Sequence, residues 1–333
     1  SGDNGILLVR FRKHILPKKN TNAFYDNVIK FARNVSTNRG NTTGSHSKTK
    51  NVRNNPKIMS NILGYYDKWG PAHKSVFKRK GVPAPMGVHE TKFLKDYPDL
   101  FKKCVPLIQD IDKLYKKLLP KYHTAQFNKA NKTPFRIANT SFTTITTNVN
   151  FQTTVHLDKG DDIEGFGNLT VIERGSSYKG AETCFPRYGV AIDVREGDML
   201  FMNVHEWHGN LPMLNKKEDT ERLSIVCYLR TNVYEKTKNM TKAAAKKHNA
   251  YITSLFPIKV KPTKKSRLHR PATLSNARQG LVTDLWPGEH GPAADVEPGR
   301  AAPRRPRETD SARGRPPGCA ASEPAGTVGV HRW

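Results

Sequence analysis

The stretch that decides the fold runs from Phe142 to Asp162, FTTITTNVNFQTTVHLDKGDD. Its first half is β-branched and alternating, which predicts a strand rather than a helix. Its end holds His156, Leu157 and Asp158, followed by a glycine turn crowded with acids. In a strand, residues i and i+2 project from the same face. His156 and Asp158 should therefore stand side by side where the strand gives way to the turn.

Working outward from that point, NLTVIE (168–173), GVAIDV (189–194), DMLFMNV (198–204) and RLSIVCYL (222–229) are short β-branched runs separated by Gly, Asp and Asn. From about Asn139 to Arg230 this spacing predicts a sandwich or barrel of the jelly-roll type. Helices flank it, giving an all-β core within an α+β chain. TNAFYDNVIKFARNV (21–35) and CVPLIQDIDKLYKKLLPKY (104–122) space apolar residues three and four apart. A basic helix is expected near Lys236–Leu255. Four zones follow: a basic, partly helical segment (1–57), a domain holding these strands (58–236), a basic helical extension (237–263) and a tail (264–333). Ser36–Pro56 is polar and basic without apolar periodicity, as expected of a loop or disordered arm. No lysine follows Lys265, and nine of the chain's 22 prolines lie in the tail, a composition suited to a disordered or foreign segment.

The 333 residues carry 56 Lys+Arg against 29 Asp+Glu, a formal net charge of +27. Such a surface attracts polyanions, nucleic acid foremost. Cys104, Cys184, Cys227 and Cys319 lie far apart with no CxxC pair, against a disulfide framework or zinc ribbon. No run of 18 apolar residues and no signal-peptide core occurs, so a non-secreted protein without a membrane span is expected.

One imidazole and one carboxylate supply two metal ligands. A second histidine would complete the facial triad of non-haem Fe(II), with open positions for substrates. GDMLFMNVHEWHGNLP (197–212) offers His205 and His208. His208 is preferred because it precedes a chain reversal, which leaves His205 as a flanking group. Fourteen residues further, Arg222 and Ser224 share a strand face. A guanidinium matches a carboxylate bidentately, so this pair suits the distal carboxylate of 2-oxoglutarate. Asp158 itself argues against a halogenase, which needs a small residue in its place. An aromatic ring at Trp207, Phe166 or Phe185 could stack on a base or simply pack.

Around these residues, FTTITTNVNFQTTVHLDKGDDIEGFGNLTVIE, GAETCFPRYGVAIDVREGDMLFMNVHEWHGNLP and RLSIVCYLR resemble the oxygenase domain of the TET/J-binding-protein family, in particular its algal and viral branch. The resemblance extends through NILGYYDKWGP and KCVPLIQDIDKLYKKLLP. It departs at Gly180-Ala181, where a Gly-Gly pair is usual; an alanine there is expected only to stiffen a loop. The resemblance implies a double-stranded β-helix, Fe(II), O2 and 2-oxoglutarate, and oxidation of a pyrimidine 5-methyl group in DNA. A stacked base cannot reach buried iron, so it would be flipped out. Asp161 is then a candidate base contact, since a carboxylate accepts from the cytosine N4 amino group and meets thymine O4 poorly. 5-Methylcytosine is therefore expected over thymine, although Asp161 and Asp162 could equally cap a turn. The resemblance also leaves open ascorbate as a co-substrate, and protein or RNA as the substrate of a relative in the same superfamily. A monomer working in the nucleus, or inside a host cell if viral, is expected.

Overall fold

The computed structural model describes residues 7–36, 58–257 and 330–332. The polar run after Ser36 and nearly all of the 264–333 tail lie outside the described residues. The elements are β1 (Val9–Arg12), α1 (Lys18–Ala32), β2 (Met59–Tyr66), α2 (Pro71–Lys80), β3 (His89–Glu90), α3 (Lys92–Asp96), α4 (Pro98–Leu118) and α5 (Pro120–Ala130). They continue with β4 (Thr144–Val149), β5 (Gly167–Arg174), β6 (Lys179–Gly180), β7 (Thr183–Phe185), β8 (Val190–Ile192), β9 (Met199–Met202), β10 (Gly209–Asn210), β11 (Met213–Leu214) and β12 (Glu221–Tyr228). Helices α6 (Thr231–Thr237) and α7 (Lys242–Leu255) and strand β13 (Val330–Arg332) complete them.

Seven strands form one antiparallel sheet in the order β1-β9-β5-β12-β4-β2-β3, faced by a four-stranded sheet ordered β10-β7-β8-β13. Period-two alternation sorts the large sheet's side chains into two cores. Ile145, Phe201, Leu223, Ile225 and Cys227 face the helices and bury Phe24 and Val28 of α1 and Leu107, Ile108 and Ile111 of α4. Leu169, Val171, Leu200 and Met202 face the smaller sheet and meet Phe185 and Ile192. This is the double-stranded β-helix with flanking helices that the strand spacing and the resemblance imply.

The differences from expectation are local. The helical pattern of residues 104–122 belongs to two helices, because Pro120 cannot continue α4 and instead opens α5. The basic helix divides into α6 and α7, the latter capped by Thr241, whose hydroxyl accepts from the Ala244 amide at 3.1 Å. β4 stops at Val149 rather than running to His156. Asn150 takes a φ of 48°, its carboxamide oxygen accepts from the Arg222 amide at 2.7 Å, and its NH2 donates to the Thr220 carbonyl at 2.8 Å. Asn tolerates that left-handed conformation and turns the chain out of the sheet.

Ala181 does more than stiffen a loop. It follows Gly180 in the β6–β7 connection with a φ of 65°, held there by its amide donating to the Pro212 carbonyl at 3.1 Å. For an L-residue with a Cβ that conformation costs about 1–2 kcal/mol. Glycine removes the strain but frees the unfolded chain by about 0.4–1 kcal/mol. Ala181→Gly should therefore stabilise the protein by about 0.5–1 kcal/mol, read as a higher urea midpoint at unchanged slope.

His89 is 7% exposed and stacks on Trp69 with ring centroids 4.0 Å apart. Burial lowers its pKa to about 4, against the opposing pull of the Gly87 carbonyl. The unfolded chain binds a proton at the ordinary value of 6.5, so stability is full above that pH and falls as pH drops toward 4. The loss is up to about 3 kcal/mol. Denaturant midpoints across that window should show the decline, and His89→Phe should flatten it.

Candidate active site

The smallest piece of β-structure builds the centre. His156 and His208 form an isolated antiparallel bridge, the His156 amide donating to the His208 carbonyl at 2.8 Å and the reverse bond measuring 3.1 Å. The Asp158 amide donates to the Val204 carbonyl at 3.0 Å. The two imidazole centroids lie 4.5 Å apart. The Nδ1 of His156 faces the Thr154 carbonyl at 2.7 Å and that of His208 faces the Glu206 carbonyl at 2.9 Å. A carbonyl can only accept, so each Nδ1 carries the proton and each Nε2 presents a lone pair. Those Nε2 atoms sit 3.6 Å from the two oxygens of Asp158.

The ligating atoms of His156, Asp158 and His208 all lie within 4.8 Å of one another. Ligand distances of about 2.1 Å put adjacent donors of an octahedral ion about 3 Å apart, so the three lie close enough to converge on one ion. Two imidazoles and a carboxylate are also the donor set of non-haem Fe(II). His205 stays apart; its Nε2 meets the Asp162 carbonyl at 3.2 Å. Its backbone is placed by the turn, but the bridge selects His208.

These residues line one end of a cavity of about 140 Å³ that also holds Arg222, Ser224, Val226, Tyr228 and Arg230. All five come from alternate positions of β12 and its continuation, so the strand that buries Leu223, Ile225 and Cys227 on one face carries the cavity wall on the other. Arg222 is 4% exposed and Ser224 6%. Among the described residues, the Arg222 Nε and Nη2 have no hydrogen-bond partner. A buried guanidinium with two unsatisfied donors is strongly unfavourable unless an anion meets it. A planar carboxylate supplies two acceptors at that spacing, so the residues fit an oxo-acid as well as an iron. Ser224 Oγ is held by the Asn148 NH2 at 3.4 Å.

Asp161 lines the same cavity with Lys159 and Gly160 and bridges to Arg230 in the backbone. Sequence reasoning gave Arg230 no part in the site, yet it shapes this turn. Its guanidinium pairs with Asp67, whose side chain is fully buried, and lies 4.6 Å above the Tyr66 ring. Burial opposes charge on Asp67, but the Arg230 and Asn232 hydrogen bonds outweigh it and hold its carboxyl below the ordinary range. A Cβ on Gly160 would come within 2.6 Å of Arg230 Nη1, so the glycine permits that approach. The signal for Arg230 was the period-two stripe from Arg222 onward; nothing in the sequence paired it with Asp67, 163 residues away. Phe166 and Phe185, at 4% and 0% exposure, are packing residues, whereas Trp207 is half exposed.

Removing an unpaired buried charge should stabilise the fold. Arg222→Met is expected to raise the melting temperature of the metal-free, ligand-free protein, as when buried ionic groups are replaced by apolar ones. A lower melting temperature would mean that the guanidinium is satisfied within the protein.

Residues 74–231 match the Tet_JBP family model, described as the oxygenase domain of the 2OGFeDO superfamily. The bifunctional helicase and thymine dioxygenase JBP2 of Leishmania infantum is 34% identical over 172 residues, 52% of this chain and 14% of that protein. Thymine dioxygenase JBP1-B of Trypanosoma cruzi is 31% identical over 179 residues, 53% of this chain and 20% of that protein. The chain thus spans a fifth or less of the length of these curated relatives. Among solved structures, the viral collagen prolyl hydroxylase of Paramecium bursaria Chlorella virus 1 aligns with a TM-score of 0.34 and 12% identity, over 66% of this chain and 95% of that one. The structure of OsALKBH1 aligns with a TM-score of 0.34 and 11% identity, over 68% and 100%. Over residues 74–231 the chain is therefore similar to a Tet_JBP oxygenase domain of the 2OGFeDO superfamily, and the His156/Asp158/His208 cluster of an Fe(II)- and 2-oxoglutarate-dependent dioxygenase lies within that match.

Proposed function

We propose that this protein oxidises the 5-methyl group of a flipped-out pyrimidine in DNA, with 5-methylcytosine preferred over thymine. The observation that carries the reading is one cavity with three parts: a metal-ready His156/Asp158/His208 cluster, an unpaired guanidinium beside it, and Asp161 on the same wall. In this reading the first three residues hold Fe(II), Arg222 and Ser224 hold the distal carboxylate of 2-oxoglutarate, and Asp161 reads the base. The net charge of +27 supports a polyanionic substrate. The relatives' names specify thymine dioxygenases, which supports a methylated pyrimidine. Asp161 turns the preference toward cytosine, because its carboxylate accepts from N4–H2 and repels O4. A DNA substrate would put the enzyme in the nucleus, or inside a host cell if viral.

Iron with O2 and 2-oxoglutarate supplies the oxidation of a C–H bond, one oxygen atom entering the product and the other leaving in succinate alongside CO2. The chain's own contribution is positional. The Thr154 and Glu206 carbonyls accept from Nδ1 of both rings, so each neutral imidazole would present its Nε2 to the metal. Arg222 gives the oxo-acid one orientation, with its far carboxylate buried and its keto end toward the His/Asp cluster. The two-pronged guanidinium fork suits a planar carboxylate and favours 2-oxoglutarate over ascorbate. Arg230, fastened by Asp67, holds the turn that sets Asp161 at the cavity wall.

The test is incubation with Fe(II) and DNA containing 5-methylcytosine or thymine, with 2-oxoglutarate or ascorbate, followed by nucleoside mass spectrometry. 5-Hydroxymethylcytosine formed only with 2-oxoglutarate is expected. Asp161→Asn should lower the preference for 5-methylcytosine over thymine by about tenfold, the weight of one base-edge contact. An unchanged nucleoside profile in every mixture would refute the reading, and a glyceryl adduct formed with ascorbate would redirect the cofactor assignment.

A further inference from the structure

Eight large apolar side chains are exposed among the described residues, and four of them, Val155, Ile163, Tyr188 and Trp207, sit on segments that carry or touch the centre. Val155 precedes His156 and Trp207 precedes His208, so alternation turns both to the outside of the histidine bridge. Tyr188 reaches Glu206, the residue before Trp207, and Arg187 lies 3.6 Å from the same carboxylate. Val155, Tyr188 and Trp207 are thus tied to the histidine bridge or the residue beside it, while Ile163 shares a surface depression with Lys159 of the active-site wall, in a strongly basic chain.

Ile163 is the most exposed of them, at 74%, and its setting is unusual. It stands at the second position of a turn closed by the Gly165 amide donating to the Asp162 carbonyl at 3.1 Å, a place that polar residues or proline normally fill. The turn is fastened on every side. The Asp162 amide donates to the Leu229 carbonyl at 2.9 Å, Lys129 donates to the Asp162 carboxylate at 2.6 Å and also pairs with Glu164, and His205 meets the Asp162 carbonyl. Gly165 lies so close to Gln126 that a Cβ would come within 2.0 Å of its Oε1. Lys159 and Asp161 line both the active-site cavity and an adjoining surface depression whose wall includes Ile163. A stiff turn therefore holds an apolar tip in water, two residues from the side chain assigned to base reading.

We propose that Ile163 is a wedge that enters the base stack of duplex DNA and fills the gap left by the extruded nucleotide, while Lys159, on the same wall, holds the phosphate beside it. Apolar wedges of this kind stabilise unstacked steps, and they are needed only where a duplex must be opened. The inference rests on the proposed DNA-base reading and deepens it: the substrate is double-stranded.

The experiment compares wild type, Ile163→Ser and Ile163→Leu on 5-methylcytosine in a single strand, in a duplex, and in a duplex with an abasic site opposite. Ile163→Ser should lower the duplex rate by about tenfold or more, leave the single-strand rate within about twofold, and recover on the abasic duplex; Ile163→Leu should keep the duplex rate. A second readout needs neither metal nor co-substrate: 2-aminopurine beside the target base should brighten when wild type binds the duplex and stay dim with Ile163→Ser. Equal losses on single and double strands, or an undiminished duplex rate, would overturn the wedge while leaving the base-oxidation reading intact. Absence of wild-type turnover on every DNA would instead remove that reading, and the wedge would fall with it if the 2-aminopurine signal also did not depend on Ile163.

Discussion

Everything at the centre depends on a two-residue contact between segments that belong to no long strand. His156 and His208 exchange a pair of backbone hydrogen bonds, and these fix the separation of the two rings. Each such bond contributes about 1 kcal/mol net, too little to hold two irregular segments unaided. The contact is reinforced by the Asp158 amide on Val204 and by the packed residues beneath, Val204 and Phe185 at 1% and 0% exposure. The rigid core thus supplies the accuracy that the irregular segments lack, as a metal site requires.

β12 is where stability and function meet. One face of this strand places Leu223, Ile225 and Cys227 in the main core, and the other places a cation with unsatisfied donors in a cavity. The burial of the first face holds the second in an arrangement that would otherwise expel itself into water. A buried guanidinium with unsatisfied donors lowers the stability of the fold, a trade common where activity needs strained or unsatisfied groups. Arg230 is the contrasting case on the same stripe: it is satisfied by Asp67 and Tyr66 within the chain, and it shapes a turn.

Much of this was legible in the sequence for one reason, the strict period of strands. That period put Arg222 beside Ser224, and the resemblance in the flanking phrases supported the same set. The His156/Asp158 pair was reached by the same rule, although the strand invoked for it ends at Val149; the bridge to His208 supplies the extended geometry instead. What stayed hidden came from long-range contacts and backbone angles. β1 pairs with β9 across some 190 residues of sequence, Asp67 meets Arg230 across 163, and a left-handed Ala181 has no signature in its own side chain. The choice of His208 over His205 was legible as a preference, and its physical basis is a bridge that only tertiary structure supplies.

The account turns most directly on whether Arg222 is the anchor for an oxo-acid beside the metal cluster. Anaerobic calorimetry of 2-oxoglutarate binding to the Mn(II)-loaded protein, in wild type and Arg222→Met, measures that alone. The account predicts binding in the wild type and a loss of affinity of about a hundredfold or more in the variant, the scale for removing one partner of a buried charged contact. Equal affinity in the two proteins would contradict it.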